Sequence, residues 1–124
     1  MKVFIIDRNG ALDDLARLLA AEGCSVLRFR TAMEAVTGLI KARPDVLVCE
    51  LPLAGSTLEE LARAARVANP RADLVVVGSS SAEEEVRARA LNVVFYAVRP
   101  VEAETLREVV LTACAAVARG EVNA

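Results

Sequence analysis

Val46-Leu47-Val48-Cys49-Glu50-Leu51-Pro52-Leu53-Ala54-Gly55 (VLVCELPLAG) begins with four apolar residues, meets an acid at Glu50 and passes into a loop marked by Pro52 and Gly55. A short apolar run without polar alternation predicts a strand covered on both faces, as strands are in parallel sheets. Glutamate is rarely buried without a partner, so an acid at the end of such a strand points to a strand edge or to a site.

The pattern recurs on both sides of this stretch. Val3 to Ile6, Ser25 to Phe29, Leu74 to Val77 and Val93 to Val98 also read as strands. Between the first two, Leu12, Leu15 and Leu19 recur at helical spacing, Leu18 widens the stripe and Gly23 closes it. Thr31-Ala-Met-Glu34 is a capping-box pattern opening a helix to about Lys41, stopped by Arg43-Pro44. Ser56-Thr-Leu-Glu59 is a second such pattern, with Leu58, Leu61, Ala65 and Ala68 on one face and a stop at Asn69-Pro70. Ser81-Ala-Glu-Glu84 opens a fourth helix, with Glu83/Arg87 and Glu85/Arg89 spaced to pair on its wet side. Asn92 is its left-handed stop. Pro100 ends the fifth strand, and Leu106, Val109, Val110, Ala113 and Val117 form the last amphipathic face.

Five βα units with right-handed crossovers predict an α/β fold: a doubly wound three-layer sandwich around a parallel sheet. Residues 1–118 form one domain. The stretch 119–124 loses the apolar stripe and reads as a tail or the start of a linker.

Composition excludes several function classes. The chain has 124 residues, 55% hydrophobic and only 3% aromatic, which suits an aliphatic core. Its 15 basic and 17 acidic residues leave a formal charge of −2, which gives no footprint for direct nucleic-acid or membrane binding. The chain has no histidine, which removes imidazole bases, Ser-His and Cys-His nucleophile pairs and most zinc sites. Cys24, Cys49 and Cys114 are widely spaced and form no CxxC, as expected of reduced core thiols in a cytoplasmic protein. The apolar run at the amino terminus meets Asp7-Arg8 too early for a signal peptide, and no run is long enough to cross a bilayer.

Doubly wound sheets place their sites at the carboxyl ends of the strands. Asp7 and Arg8 follow the first strand, Glu50 the third, Gly78, Ser79 and Ser80 the fourth, and Arg99 and Pro100 the fifth. Acid, base, acid, hydroxyl and base thus share one rim. Asp13 and Asp14 fall in a first helical turn, where acids suit the helix dipole, and are given no catalytic role.

The segments IIDRNG, RPDVLVCELPLAG, VVVGSS and YAVRP resemble the receiver domain of two-component response regulators, over nearly the whole chain. The resemblance implies a flavodoxin-like (βα)5 fold with strand order 2-1-3-4-5. In that family two acids after the first strand hold magnesium, and an aspartate ending the third strand accepts a phosphoryl group. A Ser or Thr after the fourth strand and a lysine before a proline after the fifth bind that group, and an aromatic residue three positions before the lysine reports the state of the site. Asp7 matches the first acid, Ser79 (or Ser80 in its place) the hydroxyl, Tyr96 the aromatic switch and Pro100 the proline, with Arg99-Pro100 a candidate cis peptide. Three positions depart: Arg8 replaces the second acid, Glu50 the phosphoacceptor aspartate and Arg99 the lysine.

Magnesium needs oxygen ligands, and Arg8 removes one carboxylate while adding a cation. At an effective dielectric near 20, a unit charge about 4 Å away is worth roughly 4 kcal/mol. The expectation is that no magnesium or other cofactor binds. Arg8 would instead pair with Glu50 or Asp7, with Arg99 as the second cation, making Asp7, Arg8, Glu50, Ser79 and Arg99 a degenerate phosphoacceptor site. Glu50 then either mimics a phosphorylated aspartate or only balances Arg8 and Arg99. Tyr96 reads first as core packing with its hydroxyl at the surface, and only then as a switch.

The function expected is that of a non-enzymatic pseudo-receiver, a phosphorylation-independent interaction module. Its partner, an output domain or a second copy, would meet the fourth helix, fifth strand and fifth helix through Arg87, Arg89, Val94, Val101, Glu102 and Arg107. A working but unconventional phosphoacceptor is the second class. A flavodoxin-like small-molecule binder is the third, disfavoured by the lack of a GxGxxG turn, a P-loop and stacking aromatics.

Overall fold

The computed structural model of the chain describes residues 1–120. The elements run β1 (Lys2–Ile6), α1 (Asp13–Ala21), β2 (Ser25–Phe29), α2 (Ala32–Gly38), β3 (Val46–Glu50), α3 (Leu58–Ala68), β4 (Asp73–Gly78), α4 (Ala82–Arg89), β5 (Phe95–Val98) and α5 (Ala103–Ala118). All strand pairings are parallel, in the order β2-β1-β3-β4-β5. This is the five-stranded, doubly wound α/β sandwich expected from the alternating pattern.

Residue alternation divides the central strands between two cores. Val46 and Val48 join Val3, Ile5, Val75 and Val77 against Leu15 and Leu19 of α1 and Leu106 and Val110 of α5. Leu47 and Cys49 join Phe4, Ile6, Leu74 and Val76 against α2, α3 and Ala88 of α4. The apolar run before Glu50 is therefore continuous because each face is roofed by helices. Glu50 keeps the parity of Val46 and Val48 and emerges at the rim on the α1/α5 side.

Helix ends follow local chemistry. Gly23, at φ +89°, lets the chain leave α1, and Asn92, at φ 56°, turns it after α4. Thr31 and Glu34 close a full capping box on α2. This helix ends at Gly38 rather than Lys41 and passes into turns. The cap of α3 lies one residue later than the sequence pattern suggested. Thr57 accepts the Glu60 amide at 3.1 Å, while the Ser56 hydroxyl donates to the Glu60 carboxylate at 2.6 Å. On α4 the Glu85–Arg89 pair forms at 2.6 Å, but Arg87 reaches across to Glu59 of α3 instead of Glu83. β5 starts at Phe95, two residues later than its apolar run. Both Arg99-Pro100 and Leu51-Pro52 are cis, and the second was not anticipated. Of the tail read over 119–124, residues 121–124 lie outside the described residues.

Candidate functional site

The carboxyl ends of β1, β3, β4 and β5 share one rim, but their side chains do not form the expected network. Asp7, 4% exposed, is held from another direction. Its Oδ1 and Oδ2 accept from Arg28 Nη2 at 2.9 and 3.0 Å, and Oδ2 also accepts the Leu12 amide at 2.8 Å. Arg28 comes from β2 and also pairs with Asp13 at 2.8 Å. Burial works against the Arg28 charge, but the hydrogen bonds to Asp7 and Asp13 outweigh it and raise its pKa. A buried carboxylate needs a partner, and a guanidinium already fixed on the neighbouring strand supplies one at lower entropic cost than a loop residue.

Arg8 is exposed and has no ion-pair partner among the described residues. Glu50 is half-buried and likewise makes no ion pair within 4 Å. It lines an apolar cleft of about 460 Å³ with Leu12, Val77 and Pro100. Arg99 is exposed, borders the same cleft and donates through Nη1 to the Leu51 carbonyl at 2.8 Å. The Arg8–Glu50–Arg99 ion-pair network expected from the sequence thus does not form. Long, solvated side chains gain little from pairing at a surface, whereas a backbone carbonyl beside Arg99 offers a fixed acceptor.

At the β4 end a tighter cluster forms. Tyr96 is buried, and its hydroxyl lies 2.8 Å from the Ser79 carbonyl and 3.0 Å from Glu84 Oε1, two acceptors for its one proton. The same Glu84 oxygen accepts the Ser79 amide at 2.6 Å. That amide bond chiefly holds the Glu84 pKa below the ordinary carboxylate range, against the opposing effect of burial, with Tyr96 assisting. Burial first, then the bond to Glu84, pushes the Tyr96 hydroxyl pKa up. Gly78 makes room for this contact, since a Cβ there would sit 2.3 Å from Tyr96 Oη and 2.5 Å from Glu84 Oε1. Ser79 Oγ accepts the Ser81 amide at 3.2 Å, a local cap, while Ser80 is exposed.

Two members of these clusters escaped the sequence reading. Glu84 looked like half of a capping box. Ser81 Oγ does accept the Glu84 amide at 3.3 Å, but the Glu84 carboxylate turns back to Ser79 and Tyr96. Arg28 lay inside the strand pattern from Ser25 to Phe29, and nothing in its spacing marked it as the partner of Asp7.

No family model matches the chain, and no curated protein matches it. Solved structures do. A response regulator receiver domain protein (CheY-like) from Methanospirillum hungatei superposes with a TM-score of 0.84 at 21% identity, covering 96% of this chain and 97% of that one. The signal receiver domain of a modulated diguanylate cyclase from Desulfovibrio desulfuricans gives 0.79 at 27% identity, covering 97% and 98%. A Burkholderia pseudomallei response regulator solved with a phosphorylated aspartic acid and a calcium ion gives 0.77 at 21%, covering 96% and 71%. The chain has the receiver-domain fold.

Proposed function

We propose that this chain is a receiver-type signalling module that acts through protein contact and without phosphoryl transfer. The observation that carries this reading is the commitment of Asp7. The one acid that matches the family's metal-binding pair already accepts from Arg28 and from the Leu12 amide, and its neighbour is the cation Arg8. These donors do not fit a magnesium ion, which needs free oxygen ligands in near-octahedral geometry. Glu50 faces an apolar cleft with no cation in contact, and Arg99 is bonded to the backbone. Phosphoryl transfer relies on positive charge placed at the acceptor, and among the described residues no cation pairs with Glu50.

The contact surface in this reading is the α4–β5–α5 face. Val86 is 68% exposed on α4, and Val94 and Val98 are exposed beside and on β5. Arg89 on α4 and Glu102 at the start of α5 are exposed and add charge of both signs, which suits a modest interface with an output domain or a second copy, while Arg87 is turned to Glu59 of α3. The bond from Tyr96 to Glu84 joins β5 to α4 and favours one fixed arrangement of that face. Three unpaired thiols favour a cytoplasmic setting, and among the described residues no helix is long and apolar enough to cross a membrane.

The test is exposure to acetyl phosphate, and separately to beryllofluoride, each with magnesium. No covalent mass gain and no saturable spectral change at the β3 end are expected. A saturable covalent response that Glu50→Gln abolishes would overturn the proposal and make the chain an unconventional phosphoacceptor.

A further inference from the structure

A second cavity lies on the other side of β1, over the β1–α1 and β2–α2 loops, with a volume of about 650 Å³. That is within the usual size of small-molecule sites. Six of its lining side chains are charged: Asp7, Asp13, Glu34, Arg8, Arg28 and Arg30. Its acids are already satisfied. Asp7 and Asp13 share Arg28, and one oxygen of Glu34 accepts the Arg30 and Thr31 amides at 3.1 Å each. Its other two bases are not. The guanidinium groups of Arg8 and Arg30 have no acceptor among the described residues. The backbone amides of Arg8, Asn9 and Gly10 also donate to no protein acceptor there.

Three acids and three bases leave the cavity without net charge, but it holds a surplus of donors, because the Arg8 and Arg30 guanidinium groups and the loop amides have no acceptor among the described residues. From these we infer an anion site for a small phosphorylated ligand, a binding function beyond the receiver reading. A phosphoryl group carries about −1.5 to −2 at neutral pH and presents tetrahedral oxygens. Guanidinium groups on two different loops, one after β1 and one after β2, call for acceptor oxygens that face in different directions. A phosphoryl group offers three such oxygens in a tetrahedral array, against two on a carboxylate. Half-buried Phe29 lines the same cavity and offers an apolar surface to the organic part of an ester.

Calorimetric titration with inorganic phosphate, pyrophosphate and ADP tests this, without magnesium and at low and physiological salt. Saturable one-to-one binding of pyrophosphate or ADP is expected, with no covalent mass gain. Tighter binding of ADP than of pyrophosphate identifies a phosphate ester as the ligand, and equal binding identifies free polyphosphate. The double variant Arg8→Ala/Arg30→Ala, whose side chains make no hydrogen bond or ion pair among the described residues, should keep the native circular dichroism and bind at least tenfold more weakly. Arg43→Ala/Arg63→Ala, which removes the same charge elsewhere on the exposed surface, should bind like the parent. No saturable binding, or an equal loss in both double variants, overturns the assignment.

Discussion

Tyr96 shows how much one side chain can report. It is the only tyrosine, and the chain has no tryptophan, so the near-ultraviolet absorbance of tyrosinate follows this single hydroxyl. Burial and the bond to Glu84 raise its pKa, so the titration midpoint should lie above the ordinary value of about 10. Glu84→Gln should bring it down. Stability has the matching sign. The Tyr96 contribution is complete below about pH 10 and is lost as pH rises through its raised folded value. Glu84, whose pKa is lowered, contributes above its ordinary value of about 4.3, and that contribution is lost as pH falls through the folded value. Denaturant titrations over a pH series should therefore flatten at the acid end in Glu84→Gln and at the alkaline end in Tyr96→Phe. A Tyr96 midpoint unmoved by Glu84→Gln would mean that the carboxylate does not hold the hydroxyl in solution.

At the scale of elements, β2 matters because it carries the partner of Asp7. Arg28→Met keeps much of the side-chain volume but leaves a buried carboxylate with only the Leu12 amide. A loss of about 1–3 kcal/mol is expected, the cost of an unsatisfied buried polar group. Asp7→Asn in the same chain should restore part of it; urea denaturation of the single and double variants measures both. The strands other than β2 were legible because each carries an unbroken apolar run, and the helices because Thr31, Gly23 and Asn92 mark their ends. Pairing across elements was not. Adjacency in sequence suggested Arg8 for Asp7, whereas the β1–β2 register, Ile5 opposite Arg28, brought in a residue 21 positions away. The same limit applied to Glu84: its spacing from Ser81 was read correctly as a cap, and its carboxylate was drawn off by a tyrosine on β5. The rim residues were found as a set because the fold gathers strand ends, but no pattern in the chain encodes which of them touch.

The whole molecule is two cores separated by a sheet. Leu15 belongs to the α1/α5 side and Leu61 to the α2/α3/α4 side, and both are fully buried. Leu15→Ala and Leu61→Ala should each cost about 2–5 kcal/mol, and their effects should add to within about 0.5 kcal/mol, because no partner is shared across the strands. A strongly non-additive double variant would mean that the layers yield together. Each core also encloses a thiol, Cys49 on one side and Cys114 on the other, which burial pushes up to about 12. Both cysteines are thereby kept in their unreactive form.

Gly78 has a consequence for how α4 sits against β5. A methyl group at that position collides with the tyrosine oxygen and ring and with a carboxylate oxygen at once. Both clashing groups are side-chain ends, so alanine at 78 is accommodated only by swinging them aside and giving up the tie between β5 and α4. The freedom of the helix to move against the last strand is thus limited by the absence of a single methyl group.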